Sequence, residues 1–273
     1  MGIKVKIGNK EFDTKQHTYI MGILNVTPDS FSDGGKYNQI DEALFRVEQM
    51  IVEGMDILDI GGESTRPGYI AVSEQEEIDR VVPMIEAVKN RFNIPISLDT
   101  YKSQVALAGI KAGADLINDI WGLAYDENMA KVIGEHKVAC CLMHNRQEPK
   151  YSNLMEEIIS DFKKMLYWAK KAGIKEDKII LDPGVGFGKV YEHNLEVIAR
   201  LRELQVLGYP LLLGTSRKSV IGLTLNVPPQ DRVTGTVVTS VFGILQGCSF
   251  LRVHDIKENV EAVKMAKAIL ERI

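Results

Sequence analysis

The segment "KIILDPGVGFGK", Lys178 to Lys189, joins a short apolar run to a carboxylate, a proline and three glycines. Its apolar part is continuous rather than alternating, which is typical of a strand buried on both faces in a parallel sheet. The glycines would let the backbone pass close to a ligand, although a tight turn beside a solvated Asp182 fits this stretch equally well. The rest of the chain decides the fold, because the same pattern recurs along it.

A short apolar run that closes on polar residues occurs eight times. Segments with apolar residues at about every third or fourth position separate these runs, as expected for helices that pack on one face. The strand-like runs are Tyr19–Asp29, Asp56–Thr65, Ile94–Thr100, Asp115–Gly122, Val138–Asn145, Lys178–Gly184, Leu211–Lys218 and Ser249–Asp255. The helical segments lie near 40–54, 73–92, 101–113, 127–136, 153–173, 192–207, 231–247 and 256–272.

Eight strand–helix pairs predict an α/β fold, a (β/α)8 TIM barrel in which residues 1–273 form a single domain. A doubly wound open sheet is the alternative, but no dinucleotide-binding turn follows the first strand. Residues 3–12, "IKVKIGNKEF", predict a short N-terminal β-hairpin that turns at Gly8 and Asn9. This hairpin is in a position to plug the bottom of the barrel.

Composition excludes several classes of partner and location. The net charge of −4 offers no electrostatic attraction for nucleic acid or an anionic membrane. The three cysteines lack metal or redox spacing, so we expect reduced, buried thiols in a cytoplasmic protein. The first twelve residues lack the apolar core of a signal peptide. The most apolar tract, 233–247, is interrupted by Thr, Ser, Gly and Gln, and this predicts a buried helix rather than a membrane span.

Known nucleotide and hydrolase motifs do not fit the glycines of "LDPGVGFGK". A Walker A loop that ended at Gly188 and Lys189 would need glycine at position 183 and a hydroxyl at 190, where the chain has Pro183 and Val190. The dinucleotide pattern G-x-G-x-x-G fails because the last glycine comes one residue early. No Gly-x-Ser-x-Gly elbow is present either, which disfavours a covalent hydrolase.

The polar ends of the predicted strands should meet at one mouth of the barrel, where active sites of this fold lie. One carboxylate at a strand end often only caps the next helix, but nine polar residues in register favour a polar ligand. These residues are Asn25, Asp59, Asp99, Asn118, His144, Asp182, Lys218, Arg252 and His254.

The residue types narrow the chemistry of that ligand. Carboxylates and an amide suit the N–H groups of a planar heterocycle, and a neighbouring lysine suits a ring carbonyl. Arg252 can stack on an aromatic ring and bind an anion, and Arg66, Lys218 and His254 add positive charge for phosphate. No His/Cys cluster has zinc spacing. Asn25 is an oxygen ligand of the kind that Mg²⁺ accepts when phosphate oxygens and water complete its shell.

Several motifs together resemble the dihydropteroate synthases. In chain order these include "ILNVTPDSFSDGG", "DIGGESTRPG", "DPGVGFGK", "GTSRK" and "RVHD", and the resemblance runs from Ile20 to the last helix. That family condenses 6-hydroxymethyl-7,8-dihydropterin diphosphate with p-aminobenzoate and releases diphosphate in folate synthesis. Its members are usually magnesium-dependent homodimers. Methyltetrahydrofolate methyltransferases are similar at the pterin carboxylates but differ in the first two motifs.

The resemblance implies a role for each matching residue. Catalysis would involve Asp99, Asp33, Lys218, Arg252 and His254. The pterin would be bound by Asp99, Asn118, Met143, Asp182, Lys218 and Arg252. Diphosphate would be bound by Asn25, Thr65, Arg66, Arg252 and His254, with Asn25 as the metal ligand for Mg²⁺. The p-aminobenzoate pocket would be lined by Phe31, Pro67, Phe187 and Ser219.

The expected reaction is a dissociative substitution, with two loops, 27–35 and 61–69, closing over the bound pterin diphosphate. The helix near 231–247 has too many apolar positions for one core-facing stripe, so we expect it to contribute to a homodimer interface. Two alternatives remain open: a pterin-binding protein without transfer activity, and a methyltransferase domain that needs a corrinoid partner. Four residues disfavour both alternatives, namely Asn25, Asp33, Arg66 and Lys218.

Overall fold

The computed structural model describes residues 4–15, 17–27, 36–63 and 71–272, with the backbone alone at 36–39. The strands are β1 (Lys4–Ile7), β2 (Lys10–Asp13), β3 (Tyr19–Asn25), β4 (Ile57–Gly61), β5 (Ile96–Asp99), β6 (Leu116–Asp119), β7 (Ala139–Met143), β8 (Ile179–Asp182), β9 (Leu212–Leu213) and β10 (Phe250–Val253). The α-helices are α1 (Lys36–Glu53), α2 (Glu74–Arg91), α3 (Ser103–Ala112), α4 (Met129–His136), α5 (Leu154–Lys171), α6 (Tyr191–Ala199), α7 (Ser219–Leu225), α8 (Val233–Leu245) and α9 (Ile256–Leu270).

Eight parallel strands form the barrel, in the order β8-β7-β6-β5-β4-β3-β10-β9. A single parallel bridge between Leu181 and Leu211 joins the two ends of this order and closes the ring. Each strand is followed by a helical segment, so the predicted (β/α)8 barrel is confirmed. No helix in the described ranges is both long and apolar enough to cross a membrane.

The strands are short because each one crosses the barrel wall once and ends where its polar residues begin the loop. The run predicted at Leu211–Lys218 contributes only two strand residues, since Gly214 already lies at the mouth. Helix α7 was not anticipated, because its seven residues lie between a strand signal and a stronger helical pattern. The predicted helix 192–207 is α6 followed by a 3₁₀ helix, Leu201–Leu207.

Local sequence explains where α2 begins. Ser73 and Glu76 stand at capping-box spacing, which predicts a helix start there. The Ser73 side chain accepts a hydrogen bond from the Glu76 N–H at 3.2 Å and satisfies one of the free amide groups at the helix end. The Glu76 carboxylate pairs with Arg80 one turn later.

The N-terminal hairpin closes the lower end of the barrel, as predicted. β1 and β2 pair antiparallel, and Val5, Ile7 and Phe12 are buried. They form one apolar cluster with the residues at the start of the barrel strands, which are Met21, Ile57, Leu116, Ala139, Cys141, Ile180, Leu212 and Phe250. A separate, larger cluster lies between the strands and the helices. The barrel is therefore apolar at its lower end, and its polar residues lie above.

Replacing Phe12 by alanine should destabilise the fold. Phe12 is 3% exposed and its ring packs edge-on against Tyr19 at 4.8 Å. Removing a buried aromatic side chain costs about 3–5 kcal/mol, because the cavity collapses only partly. Urea unfolding should report this loss, whereas Lys10→Ala, at the exposed start of the same strand, should change the free energy of unfolding by about 0.5 kcal/mol or less. If both substitutions changed the free energy of unfolding equally, Phe12 would not be part of the core that closes the lower end of the barrel.

Candidate active site

Strand register aligns several of the predicted polar residues at the carboxyl ends of neighbouring strands. Gly61 pairs with Asp99, and Asp99 pairs with Asn118. On the other side of the barrel, Met143 pairs with Asp182. Because side chains alternate between the two faces of a strand, the residue two positions earlier on each strand points the same way. The mouth therefore continues directly from the apolar lower layers.

Arg252 forms the electrostatic centre of the mouth. Its Nε donates to Asp59 Oδ2 at 2.7 Å and its Nη2 donates to Asp99 Oδ2 at 2.6 Å. Ser97 donates its hydroxyl to the other Asp59 oxygen. Two carboxylates thus fix the guanidinium plane, and fixed planarity is the property needed for stacking on a flat ring.

Arg252, Asp59 and Asp99 form a triad, and the contacts within it shift the pKa values of Asp99 and Arg252. Burial raises the pKa of Asp99, the Arg252 guanidinium lowers it and Asp59 raises it again, with a net value of about 7. Burial lowers the pKa of Arg252, but Asp59 and Asp99 outweigh that effect and keep the pKa above its usual value. Arg252 is therefore a permanent cation, whereas Asp99 can exist in either state near neutral pH.

Asp182 and Lys218 flank a second opening of the mouth. Asp182 is buried and accepts the Gly184 N–H at 2.8 Å, while Lys218 Nζ donates to Val185 O at 2.5 Å. A side chain at Gly214 would come within 3.6 Å of Asp182 Oδ2 and 3.8 Å of Lys218 Nζ, so glycine keeps this space open. A ligand can enter between an acceptor and a donor here.

Burial shifts both charged groups towards their neutral forms. It raises the pKa of Asp182, which Lys218 lowers again. It lowers the pKa of Lys218 to about 8, with Asp182 acting in the opposite direction. Both effects follow from the cost of burying charge away from water.

Asn25 and His254 occupy the part of the mouth formed by β3 and β10. Asn25 Oδ1 and Asp99 Oδ2 each lie 3.9 Å from the position that a Cβ on Gly61 would take, so the two oxygens share one corner. His254 Nδ1 contacts Ser216 Oγ at 2.9 Å, and Ser216 Oγ also accepts the His254 N–H. In the described ranges no three His, Cys, Asp or Glu residues form a metal cluster. Asn25 alone suits a hard cation whose other ligands come from phosphate and water.

An apolar wall stands beside the polar residues. Tyr101, Ile120 and Met143 form a small buried cluster, against which Trp121 and Phe187 pack. Lys218 Nζ lies 4.7 Å from the centre of the Phe187 ring. Flat apolar surface next to convergent polar groups is typical of a pocket for a heteroaromatic ligand. Ser219, at the start of α7, is exposed next to Lys218.

One residue of the predicted mouth lies elsewhere. His144 was expected there, but its Nε2 lies 3.3 Å from Asp161 Oδ2 on α5 and its ring packs near Phe162. Alternation explains this error, since Met143 and His144 are neighbours and cannot both face the lumen. Burial lowers the pKa of His144 to about 4, so the ring is neutral in this position.

Some expected site residues cannot be located. Phe31, Asp33, Thr65, Arg66 and Pro67 lie outside the described residues.

Two described residues of the site were not assigned a role from the sequence. Ser97 orients Asp59, and Gly214 keeps the space between Asp182 and Lys218 open. Ser97 could have been found by its spacing of two from Asp99 on a strand buried on both faces.

Comparison with known proteins agrees with this geometry. The family model described as "Pterin binding enzyme" matches residues 21–254. A dihydropteroate synthase of Clostridium beijerinckii is 59% identical, covering 98% of this chain and 100% of the relative. The structure of a dihydropteroate synthase from Clostridium difficile, in the presence of pteroic acid, is 52% identical and superposes with a TM-score of 0.93 over 94% of this chain and 98% of that one. The Xanthomonas albilineans dihydropteroate synthase with 4-aminobenzoic acid is 37% identical, with a TM-score of 0.93 over 99% of both chains.

Removing Arg252 should destabilise the unliganded fold in a pH-dependent way. Arg252→Met leaves Asp59 and Asp99 without their buried counter-charge, which costs about 3–5 kcal/mol when both are ionised. The folded-state pKa of Asp99 lies above its ordinary value of 3.8, so its contribution to stability is present below about pH 4 and is lost as the pH rises through about 7. Without the cation this pKa rises further, and protonated Asp99 needs no partner. The loss should therefore be larger at pH 8 than at pH 5.

Urea unfolding at the two pH values measures this difference. Arg91→Met is the matched control, since Arg91 and Glu48 form an exposed pair and its removal should cost about 0–1 kcal/mol at either pH. A loss for Arg252→Met that is the same at pH 5 and pH 8 would show that Asp99 does not depend on this cation.

Proposed function

This chain belongs to the pterin-binding enzyme family, among its dihydropteroate synthases, and we propose that the mouth built around Arg252 is where it carries out their reaction. The enzyme condenses 6-hydroxymethyl-7,8-dihydropterin diphosphate with p-aminobenzoate to give 7,8-dihydropteroate and diphosphate. The single observation that supports this location best is the convergence of Asp99, Asp182 and Lys218 beside an apolar wall. Relatives with the synthase name match the whole length of the chain, which disfavours the two alternatives that the sequence left open.

The pterin ring would lie flat between Arg252 and Met143. Arg252 offers a plane held by two carboxylates, and Met143 belongs to the apolar wall. The N–H groups along the ring edge would donate to Asp182 and Asn118, with Asp99 completing the set of acceptors. Lys218 would donate to the ring carbonyl. Each donor of the ligand then meets an acceptor, as a buried polar ring requires.

The diphosphate would lie near β3 and β10. Asn25, Arg252 and His254 are the described residues that we assign to it, and Thr65 and Arg66 complete the set expected from the sequence. Mg²⁺ would be held by Asn25 together with diphosphate oxygens and water, and it would neutralise charge on the leaving group. The orientation of His254 is supported by Ser216, which contacts both its ring and its backbone.

The chemical step is a dissociative substitution. The bond between the pterin CH₂ and the diphosphate oxygen breaks, and its electron pair leaves with diphosphate. Positive charge spreads into the electron-rich dihydropterin, where ionised Asp99 stabilises it electrostatically. The neutral arylamine then forms the C–N bond with its lone pair and loses a proton to solvent, so no strong base is required beforehand. Asp33 would assist from outside the described residues.

The p-aminobenzoate would occupy the side of the mouth next to Lys218. Phe187 and Ser219 are the described residues of this pocket, and Phe31 and Pro67 are expected to complete it. The Phe187 ring lies over the Lys218 ammonium and offers a flat face to an aromatic acid. A related synthase has been crystallised with 4-aminobenzoic acid, which is in keeping with this assignment.

We further propose that two copies of the chain associate through α8. The residues of this helix are distributed unusually between its two faces. Its buried positions are the small residues Thr236, Ser240 and Gly243. Its exposed positions are Thr234 and the large apolar residues Val238, Phe242 and Leu245. Large apolar groups on the outer face of a helix indicate a protein interface.

We also propose a cytoplasmic location for the enzyme. Its three cysteines are free and buried, as is usual for proteins of a reducing compartment, and cell fractionation would test this location.

Replacing one pterin acceptor should weaken binding selectively. Asp182→Asn keeps an oxygen for the Gly184 N–H but replaces the second acceptor by a donor that faces a ring N–H. A mispaired buried group costs about 1–3 kcal/mol, so pterin affinity should fall by about tenfold or more. Calorimetry with the pterin substrate measures this, with the exposed Asp177→Asn as control. Unchanged affinity would remove Asp182 from the site.

The reaction itself should depend on both substrates and on magnesium. Diphosphate release from the pterin substrate should increase when p-aminobenzoate is added. It should stop in excess EDTA and return with Mg²⁺ but not with Zn²⁺, because the expected ligands are all oxygens. Full turnover in EDTA would refute the magnesium requirement, and release that ignores p-aminobenzoate would argue against transfer.

A charge on the outer face of α8 should separate the proposed dimer. Phe242→Glu places a carboxylate among apolar groups that would be desolvated on association. Sedimentation at micromolar concentration should show a dimer for the native chain and a monomer for the variant, while Tyr167→Glu on exposed α5 should remain dimeric. A native chain that sediments as a monomer would rule out the dimer.

A further inference from the structure

The lysine of "LDPGVGFGK" is half-buried and contacts His144 and the backbone of its own loop. Lys189 Nζ lies 3.1 Å from Gly184 O, 3.1 Å from Phe187 O and 3.0 Å from His144 Nδ1. An ammonium group has three N–H donors, and these three acceptors are its shortest contacts, with the His144 carbonyl oxygen as a longer fourth at 3.5 Å. Burial lowers the pKa of Lys189 to about 7, while Asp182 acts in the opposite direction. Because burial disfavours the charged form of Lys189, its position indicates that its contacts with the turn and with His144 keep it there.

His144 and Asp161 fix the acceptor side of this contact. His144 Nδ1 can accept from Lys189 only when it carries no proton, which leaves Nε2 to donate to Asp161 Oδ2 at 3.3 Å. Asp161 is itself held by Arg146, whose Nη2 donates to it at 2.6 Å. The chain of contacts therefore runs from α5 through a neutral histidine to the lysine.

Two of the carbonyl groups that Lys189 contacts, those of Gly184 and Phe187, are the ends of one turn. Phe187 N–H donates to Gly184 O at 3.1 Å, so residues 184–187 form a tight turn. Gly184 has a positive φ of 69°, and a Cβ there would collide with the His144 carbonyl oxygen. On the opposite side of this turn Lys218 donates to Val185 O. The turn is held by one lysine from the mouth and by another from behind.

We propose that Lys189 is a positioning residue for the p-aminobenzoate pocket: together with His144 it holds the 184–187 turn so that Phe187 stays over Lys218. Lys189 touches no substrate in this arrangement and acts through the backbone that carries Phe187. The inference rests on the role proposed for Phe187. Asp182 precedes the turn and is fixed by β8 and by the Gly184 N–H, so pterin binding should depend much less on Lys189.

The test separates the two substrates. Lys189→Met fills the same volume without donors and should raise the KM for p-aminobenzoate by about tenfold, while pterin affinity by calorimetry changes by less than about threefold. Lys131→Met, on the exposed face of α4, is the matched control and should change neither. An unchanged KM for p-aminobenzoate would overturn the proposal, and so would parallel losses for both substrates, which indicate general disruption.

A pair of substitutions at His144 decides the matter should Lys189→Met fail to fold. His144→Leu removes the acceptor and should reproduce the selective effect. His144→Asn places an amide oxygen near the position of Nδ1, so its KM for p-aminobenzoate should be closer to that of the native chain. Equal values for the leucine and asparagine variants would overturn the role of this contact.

Two further measurements distinguish failure of this proposal from failure of the function. The native chain must release diphosphate in a p-aminobenzoate-dependent manner, since otherwise the proposed function itself is wrong. Phe187→Ala must raise the KM for p-aminobenzoate, since otherwise the pocket assignment is wrong. If both conditions hold and Lys189→Met behaves like the native chain, only the positioning role is excluded.

Discussion

The contact of Arg252 with Asp59 and Asp99 is the constraint on which the mouth of the barrel depends. A guanidinium and two carboxylates can remain largely buried only while each satisfies the others, and their strands come from distant parts of the chain. This triad requires β4, β5 and β10 to be in register before the site exists. It also holds the Arg252 guanidinium against two carboxylates, so in the proposed site the contacts that orient the ring-stacking group are also contacts between strands.

The sequence predicts the barrel well because a parallel strand buried on both faces and an amphipathic helix differ in period, and eight repeats of the pair leave few folds. It also predicts which residues end the strands. It is less informative about direction: Met143 and His144 look equally suitable for the mouth until strand alternation assigns one to each face. Ser97 escaped notice for the related reason that its role is to orient another side chain, and such a role has no motif of its own.

Helix α7 and the "GVGF" turn illustrate a second limit. Helix α7 has only seven residues, fewer than the roughly 11 over which a helical period can be recognised, so it gave no clear signal. In the turn, glycine spacing suggested a phosphate loop, yet side chains hold most of its backbone groups. Asn194 accepts the Gly186 N–H at 2.6 Å, and Tyr151 donates to Gly188 O at 2.8 Å. Glycine here allows other side chains to reach the backbone, and only tertiary contacts distinguish that use from anion binding.

The N-terminal hairpin restricts how substrates can enter and how products can leave the barrel. Val5, Ile7 and Phe12 fill the lower end of the barrel, so among the described residues this end is apolar and offers no passage for a polar molecule. In the proposed site, both substrates and both products would then pass through the mouth at the carboxyl ends of the strands. The larger product cannot leave by a rear exit while fresh substrate enters, and its departure must clear the mouth first. In a barrel with a single entrance, a new substrate can bind only after the previous product has been released.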